Sequence, residues 1–147
     1  MDLKSTKATE LCSTDNRFRN TALQCGIVKP SAELKSTYTS LNQFKGIVCE
    51  AAVIRLLSKK GWQLQFQRAR TEISEIDLIF LKQNKIILVE VKKLDEDWQA
   101  FERISKKQFQ TLQRNLNFFS YRFQKFEIRA FVAWVNRKNE ITFLSLE

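Results

Sequence analysis

The sequence predicts an α/β domain in which helices flank a mixed β-sheet. Three observations carry this. Apolar residues recur at helical spacing through two long segments, roughly residues 42–60 and 98–123. Five shorter segments are rich in β-branched and aromatic residues and are bounded by polar turns. The second long helix stands between the third and fourth strands, a crossover that permits parallel pairing in a sheet otherwise joined by short connections.

The elements follow in order. "LNQFKGIVCEAAVIRLLSKKGW" is an amphipathic helix from about Asn42 to Lys60, with Gly61 as its stop. "WQLQFQRA" alternates Trp62, Leu64 and Phe66 with Gln63, Gln65 and Gln67, as a half-buried strand does. "EIDLIFL" and "KIILVEV" are strands joined by "KQNK" as a tight hairpin. "WQAFERISKKQFQTLQRNLNFFSYRF" reads as one long helix with Trp98, Phe101, Phe109, Leu112, Leu116, Phe119 and Phe123 along its apolar stripe. "FEIRAFVAWV", the turn "NRKN" and "EITFLSL" close the chain. From Leu41 the order is therefore α-β-β-β-α-β-β. Residues 1–40, with many Ser and Thr and the only proline, Pro30, form an N-terminal arm with a short helix; residues 41–147 form the domain. A tail, a dimer-exchange arm and an added DNA contact are all open readings of the arm.

Composition excludes several chemistries. The chain has 147 residues, 44% of them hydrophobic, which is enough for one domain with a sizeable core. It contains no histidine, which removes Ser-His-Asp and Cys-His nucleophilic sites and histidine-based zinc sites. Cys12, Cys25 and Cys49 are odd in number and irregularly spaced, against a disulfide framework or zinc knuckle. No apolar run approaches the ~18 residues of a membrane span, and the N-terminus lacks an apolar signal-peptide core, so the expectation is a cytoplasmic protein with no membrane partner. A net charge of +9 points to a polyanionic partner.

"SEIDLIFLKQNKIILVEVKK" sets Glu75, Asp77, Glu90 and Lys92 into strongly apolar strands. A turn centred on Gln83-Asn84 places Asp77 across from Glu90, Glu75 across from Lys92, Ile79 across from Leu88 and Leu81 across from Ile86. Ile76, Leu78 and Phe80 then meet Val91, Val89 and Ile87 on the other face. One face is apolar throughout, and the charges gather at the far end of the other. Opposed carboxylates about 4.5–5.5 Å apart at Cβ repel unless a proton or cation lies between them. Lys92 offsets part of that charge. A divalent, oxygen-bound cation such as Mg²⁺ suits two carboxylates, water and a substrate phosphate. The alternative is a patch of ion pairs at a sheet edge. Glu50 stands beside Ile47, Ala51, Ile54 and Leu57 on the helix that must pack on this sheet, and is expected to reach the patch as a third acid.

"GIVCE…EIDLI…VEVK", followed by Lys107-Gln108 at the start of the next helix, resembles the PD-(D/E)XK nuclease superfamily, and within it archaeal Holliday junction resolvases and the uncharacterised bacterial YraN-type endonuclease-like proteins. The resemblance covers roughly Phe44 to Leu144. Ser74 stands where a glycine is usual, and the basic residues usual before the helix glutamate are reduced to Lys45. The resemblance implies a restriction-endonuclease-like α-β-β-β-α-β core and a metal-dependent DNA endonuclease, with branched or junction DNA among its substrates. It implies Asp77 and Glu90 as ligands of Mg²⁺ or Mn²⁺, and Glu50 as a further acid acting directly or through water. Lys92 would position or activate the attacking water, and Gln108 would orient the site. Glu75 is either a ligand or a charge partner of Lys92. Arg68, Arg70, Arg103, Lys106 and Lys107 are candidate phosphate contacts, and a homodimer is expected. The rival reading is a nuclease fold that binds nucleic acid or protein without cutting.

Overall fold

A computed structural model of the protein describes residues 17–30, 41–94 and 104–146, the side chains of residues 30 and 41–45 excepted. Residues 17–24 are helical and are called α1. Then come β1 (Lys29–Pro30), α2 (Leu41–Lys59), β2 (Gln63–Arg70), β3 (Glu75–Lys82), β4 (Lys85–Lys93), α3 (Lys106–Arg122), β5 (Glu127–Val135) and β6 (Ile141–Leu146). The six strands lie in sequence order in one sheet. β4 and β5 are parallel and every other neighbouring pair is antiparallel. This is the mixed α/β architecture that the sequence predicts, with α3 as the crossover.

α2 ends as its sequence requires. Gly61 has φ +89°, its N–H donates to Ser58 O, and Trp62 N–H donates to Leu57 O. These two bonds make a Schellman closure, and Leu57 packs in the same apolar cluster as Trp62. The β3–β4 turn is equally tight: Gln83 takes φ +56°, and the ladder runs from Lys82↔Lys85 through Ile79↔Leu88 to Leu78↔Val89. The period-two matching of apolar residues therefore fixes the register near the turn.

The sheet is covered on both faces. On one, Cys49, Val53 and Leu57 of α2 pack against Leu78, Phe80, Val89 and Ala133. On the other, Leu112 and Phe119 of α3, with Phe18 and Ala22 of α1, pack against Ile79, Leu81, Ile86 and Leu88. Each Val, Leu, Ile or Phe among them contributes about 1.5–3 kcal/mol by leaving water. α1 and β1, inside the expected arm, thus pack on the domain, with Ile27 and Val28 also buried.

Three details differ from the sequence reading. Trp62, Leu64 and Phe66 do not share a face. Gln65 is an extra residue where the β2–β3 register shifts, so Leu64 pairs with Phe80 on the α2 side while Phe66 pairs with Ile79 on the α3 side. Ile76 leaves the face of Leu78 and Phe80 and joins the cluster of Phe18 and Val28. The second long helix does not run unbroken from Trp98. Ser105 caps α3 with extended backbone, accepting from Gln108 N–H while the Gln108 side chain accepts from Ser105 N–H. Trp98 and Phe101 lie outside the described residues, and Phe109 is exposed. Among the described residues, no helix is long and apolar enough to cross a membrane.

Gly61→Ala will force a Cβ into left-handed backbone without a steric clash, since Lys82 Cε would lie at 3.5 Å. The expected loss is about 1–2 kcal/mol, read as a lower urea midpoint at unchanged slope.

Candidate active site at the open end of the β3–β4 hairpin

The β3–β4 ladder stops at Leu78↔Val89, one residue before Asp77 and Glu90 would face each other. Beyond it, Val91 N–H donates to Asp77 Oδ2 at 2.8 Å. A strand N–H lies in the sheet plane, so the Asp77 carboxylate sits in the gap between the strands rather than on one face. The strand alternation breaks at the same point, which is why Ile76 and Leu78 pack on opposite sides.

Glu90 is close by on β4. Its carboxyl and that of Asp77 act on each other electrostatically, and it lies 3.3 Å from Lys92 Nζ, both side chains about a quarter exposed. Glu90 and Glu75 line a cleft of about 170 Å³ with Lys107, Gln108 and Thr111 of α3. Burial raises the Asp77 carboxyl above its ordinary range, against the Val91 N–H and the Lys92 charge. Burial, then the Asp77 charge, pushes Glu90 up to about 7, while Lys92 opposes.

Glu50 reaches the gap from α2 on the opposite face. It is 6% exposed, accepts from Gln67 Nε2 at 3.0 Å and stands 3.7 Å from Arg68 Nε. Burial raises its carboxyl first; the Gln67 bond lowers it, and the Asp77 charge raises it again. Asp77 therefore acts electrostatically on an acid from each side of the sheet. Asp77 and Glu90 form the close pair, whereas Glu50 has its own partners on β2.

The other candidates separate. Glu75 does not pair with Lys92: it lies beside Arg70, its register partner, at 3.8 Å with both side chains well exposed. Lys92 turns to Glu90 instead. Gln108 is near Glu90, but its side-chain oxygen serves the α3 cap. Lys106 and Lys107 are exposed on the first turn of α3. Arg103 lies outside the described residues.

Two groups at the site escape a reading of strand faces. Gln67 reaches Glu50 only because the Gln65 bulge turns it toward α2. Asn115, 1% exposed, donates to Ser74 Oγ at 2.6 Å, and its Oδ1 lies 2.9 Å from Thr71 Oγ1. That clips the β2–β3 loop to α3 and fixes where β3 begins. An asparagine between Leu112 and Phe119 on the buried stripe of α3 is the signal that marks it.

Among the described residues, no three His, Cys, Asp or Glu converge as a metal cage. The donor set is two neighbouring carboxyls whose combined negative charge burial resists. Such a pair fits a hard cation that takes one or two carboxylates and completes its shell with water and phosphate oxygen.

The profile of the uncharacterised protein family UPF0102 matches residues 49–134, from beside Glu50 through β5. The chain belongs to UPF0102. This is the YraN-type endonuclease-like family of the PD-(D/E)XK superfamily. Among curated UPF0102 proteins, one from Prochlorococcus marinus (strain MIT 9303) is 46% identical over 48 residues, 33% of this chain and 38% of that protein. One from Roseobacter denitrificans is 40% identical over 63 residues, 43% of this chain and 49% of that protein. A Campylobacter jejuni member is 26% identical over 74 residues, half of this chain and 66% of its own length. The chain thus spans less than half of the Prochlorococcus and Roseobacter UPF0102 relatives.

The Glu90 carboxyl sets a pH dependence. In the cation-free fold it keeps its proton up to about pH 7, against an ordinary 4.5, so the folded state binds more protons than the unfolded state between those values. Its contribution is fully present below pH 4.5 and is lost as pH rises through about 7. Urea titrations in chelator will show the stability of the native protein falling relative to Glu90→Gln across that window and levelling above it. A difference independent of pH would contradict the assigned burial of the pair.

Proposed function

We propose that the protein is a metal-dependent DNA endonuclease that hydrolyses phosphodiester bonds. The observation that carries this reading is the Asp77–Glu90 pair, two neighbouring carboxyls with Lys92 at 3.3 Å from Glu90, at the open end of a rigid hairpin. Structural ion pairs match opposite charges; this site holds like charges together, with Lys92 beside Glu90. The UPF0102 membership and its superfamily add support.

Asp77 and Glu90 would hold Mg²⁺ or Mn²⁺. When bound, such a cation lowers the pKa of water and stabilises charge on phosphoryl and leaving oxygens. Val91 N–H fixes one Asp77 oxygen, which orients the carboxylate before any ligand arrives. Lys92 orients the attacking water and donates to the phosphate. Glu50, held by Gln67, adds negative charge from the α2 side and accepts a proton through water. Lys106 and Lys107, at the end of the sheet where the hairpin opens, neutralise neighbouring phosphates. The chemistry needs no histidine, in keeping with the composition.

Cleavage assays on linear, nicked, flapped and four-way DNA with Mg²⁺ or Mn²⁺ test this. Wild-type protein will cut at least one substrate, and Glu90→Ala and Lys92→Ala will each lower the rate at least about 100-fold. Tight binding without cutting on every substrate would replace the enzyme with a binding module. Cutting that survives both substitutions would place the activity elsewhere.

A further inference from the structure

Arg68 is in a conformation that its strand does not require. Three non-glycine residues among those described have positive φ: Gln83, Asn139 and Arg68. Gln83 and Asn139 sit in the turns that precede β4 and β6, where left-handed backbone closes the hairpin. Arg68, at φ +53°, lies inside β2. Arginine gains nothing locally from that region, so the strain is held by its surroundings.

The position explains what the strain achieves. Gln67 pairs with Leu78 and Ala69 with Ile76, which puts Arg68 at the register position opposite Asp77, where the ladder is skipped. Regular alternation would send Gln67 and Arg68 to opposite faces. Instead both reach Glu50 Oε2, and Ala69 goes to the α3-side cluster. The left-handed residue thus carries a guanidinium to the α2 mouth of the β3–β4 gap. Its side chain keeps about a quarter of its surface exposed, and at 3.7 Å the contact with Glu50 is long for a charged hydrogen bond.

Among the described residues, the same mouth has open space. Gly46 lies one helical turn before Glu50 on the same side of α2, and a Cβ there would meet no atom of the described residues within 4 Å. A glycine inside a helix costs stability relative to alanine, and among the described residues no packing asks for it here. A close-approaching ligand backbone would.

We propose that a DNA strand crosses the end of the sheet over Gly46 and that Arg68 binds the phosphate beside the one addressed by Asp77 and Glu90. This rests on the nuclease reading and adds a docking direction to it: the strand runs from the first turn of α3, past the carboxyl pair, to the α2 mouth. Glu50 holds the guanidinium in place until the phosphate takes it. Arg68→Gly and Arg68→Asn remove the guanidinium while suiting left-handed backbone, so both will fold.

The test is the salt dependence of binding to short duplex and four-way DNA. Each phosphate contact adds about 0.9 to the slope of log affinity against log salt for B-form DNA. Arg68→Gly will weaken binding about tenfold and reduce the slope by about 1, and will do so equally in a Glu50→Gln background. Gly46→Leu will weaken binding about tenfold while raising thermal stability. An unchanged slope for Arg68→Gly, or a loss that disappears once Glu50 is neutral, overturns the contact and leaves arginine as the counter-ion of Glu50. Gly46→Leu binding as tightly as wild type overturns the docking direction. Failure of the wild-type protein to bind any DNA overturns this inference together with the nuclease reading. Binding with the predicted slopes but no cutting overturns only the nuclease reading.

Discussion

The hydrogen bond from Val91 N–H to the Asp77 carboxylate is where β3 and β4 stop being partners. A regular antiparallel pair would give that N–H to a backbone carbonyl and put Asp77 face to face with Glu90. Here a side chain takes the place of the backbone, the ladder ends at Leu78↔Val89, and a gap opens at one end of a hairpin that is otherwise buried on both sides. Because the gap passes through the sheet, groups from both layers reach it. Glu90 and the first turn of α3 come from one side; Glu50, Gln67 and Arg68 come from the other.

This geometry works against stability. Burial raises the carboxyls of Glu50, Asp77 and Glu90, and neighbouring negative charge raises each further. A sequence shaped only for stability would place apolar residues at these positions, as it does at Leu78, Phe80, Leu88 and Val89 nearer the turn. The rest of the fold makes the conflict tolerable. The closed end of the hairpin is packed by α2 and α3. The Asn115–Ser74–Thr71 network ties down the start of β3. The capping box of Ser105 and Gln108 fixes where α3 begins beside Glu90.

How much of this was legible depends on what sets each feature. The hairpin could be read because a two-residue loop and period-two apolar matching admit one register. The stop of α2 could be read because Gly61 follows the last apolar turn. The partner of Glu75 could not, because counting along an ideal ladder does not show where the ladder ends. Nor does alternation in β2 survive Gln65 and Arg68: a bulge and a left-handed residue each reverse the faces, and neither residue type announces it. The start of α3 was visible in a pattern that the apolar stripe obscured, since Ser105 and Gln108 have capping-box spacing. α1 and β1 were not legible as core, because Phe18, Ala22, Ile27 and Val28 are too sparse to make a periodic signal.

If the gap at Asp77 is a cation site built from two strands, its occupancy must depend on both carboxyls and on little else. Titration of Mn²⁺ followed by electron paramagnetic resonance, in the presence of DNA, measures this directly. The expected result is one bound Mn²⁺ per chain for the wild-type protein, lost in Asp77→Asn and in Glu90→Gln and retained in Glu75→Gln. Stoichiometric Mn²⁺ binding that persists in both Asp77→Asn and Glu90→Gln, or none in the wild-type protein with DNA bound, would contradict it.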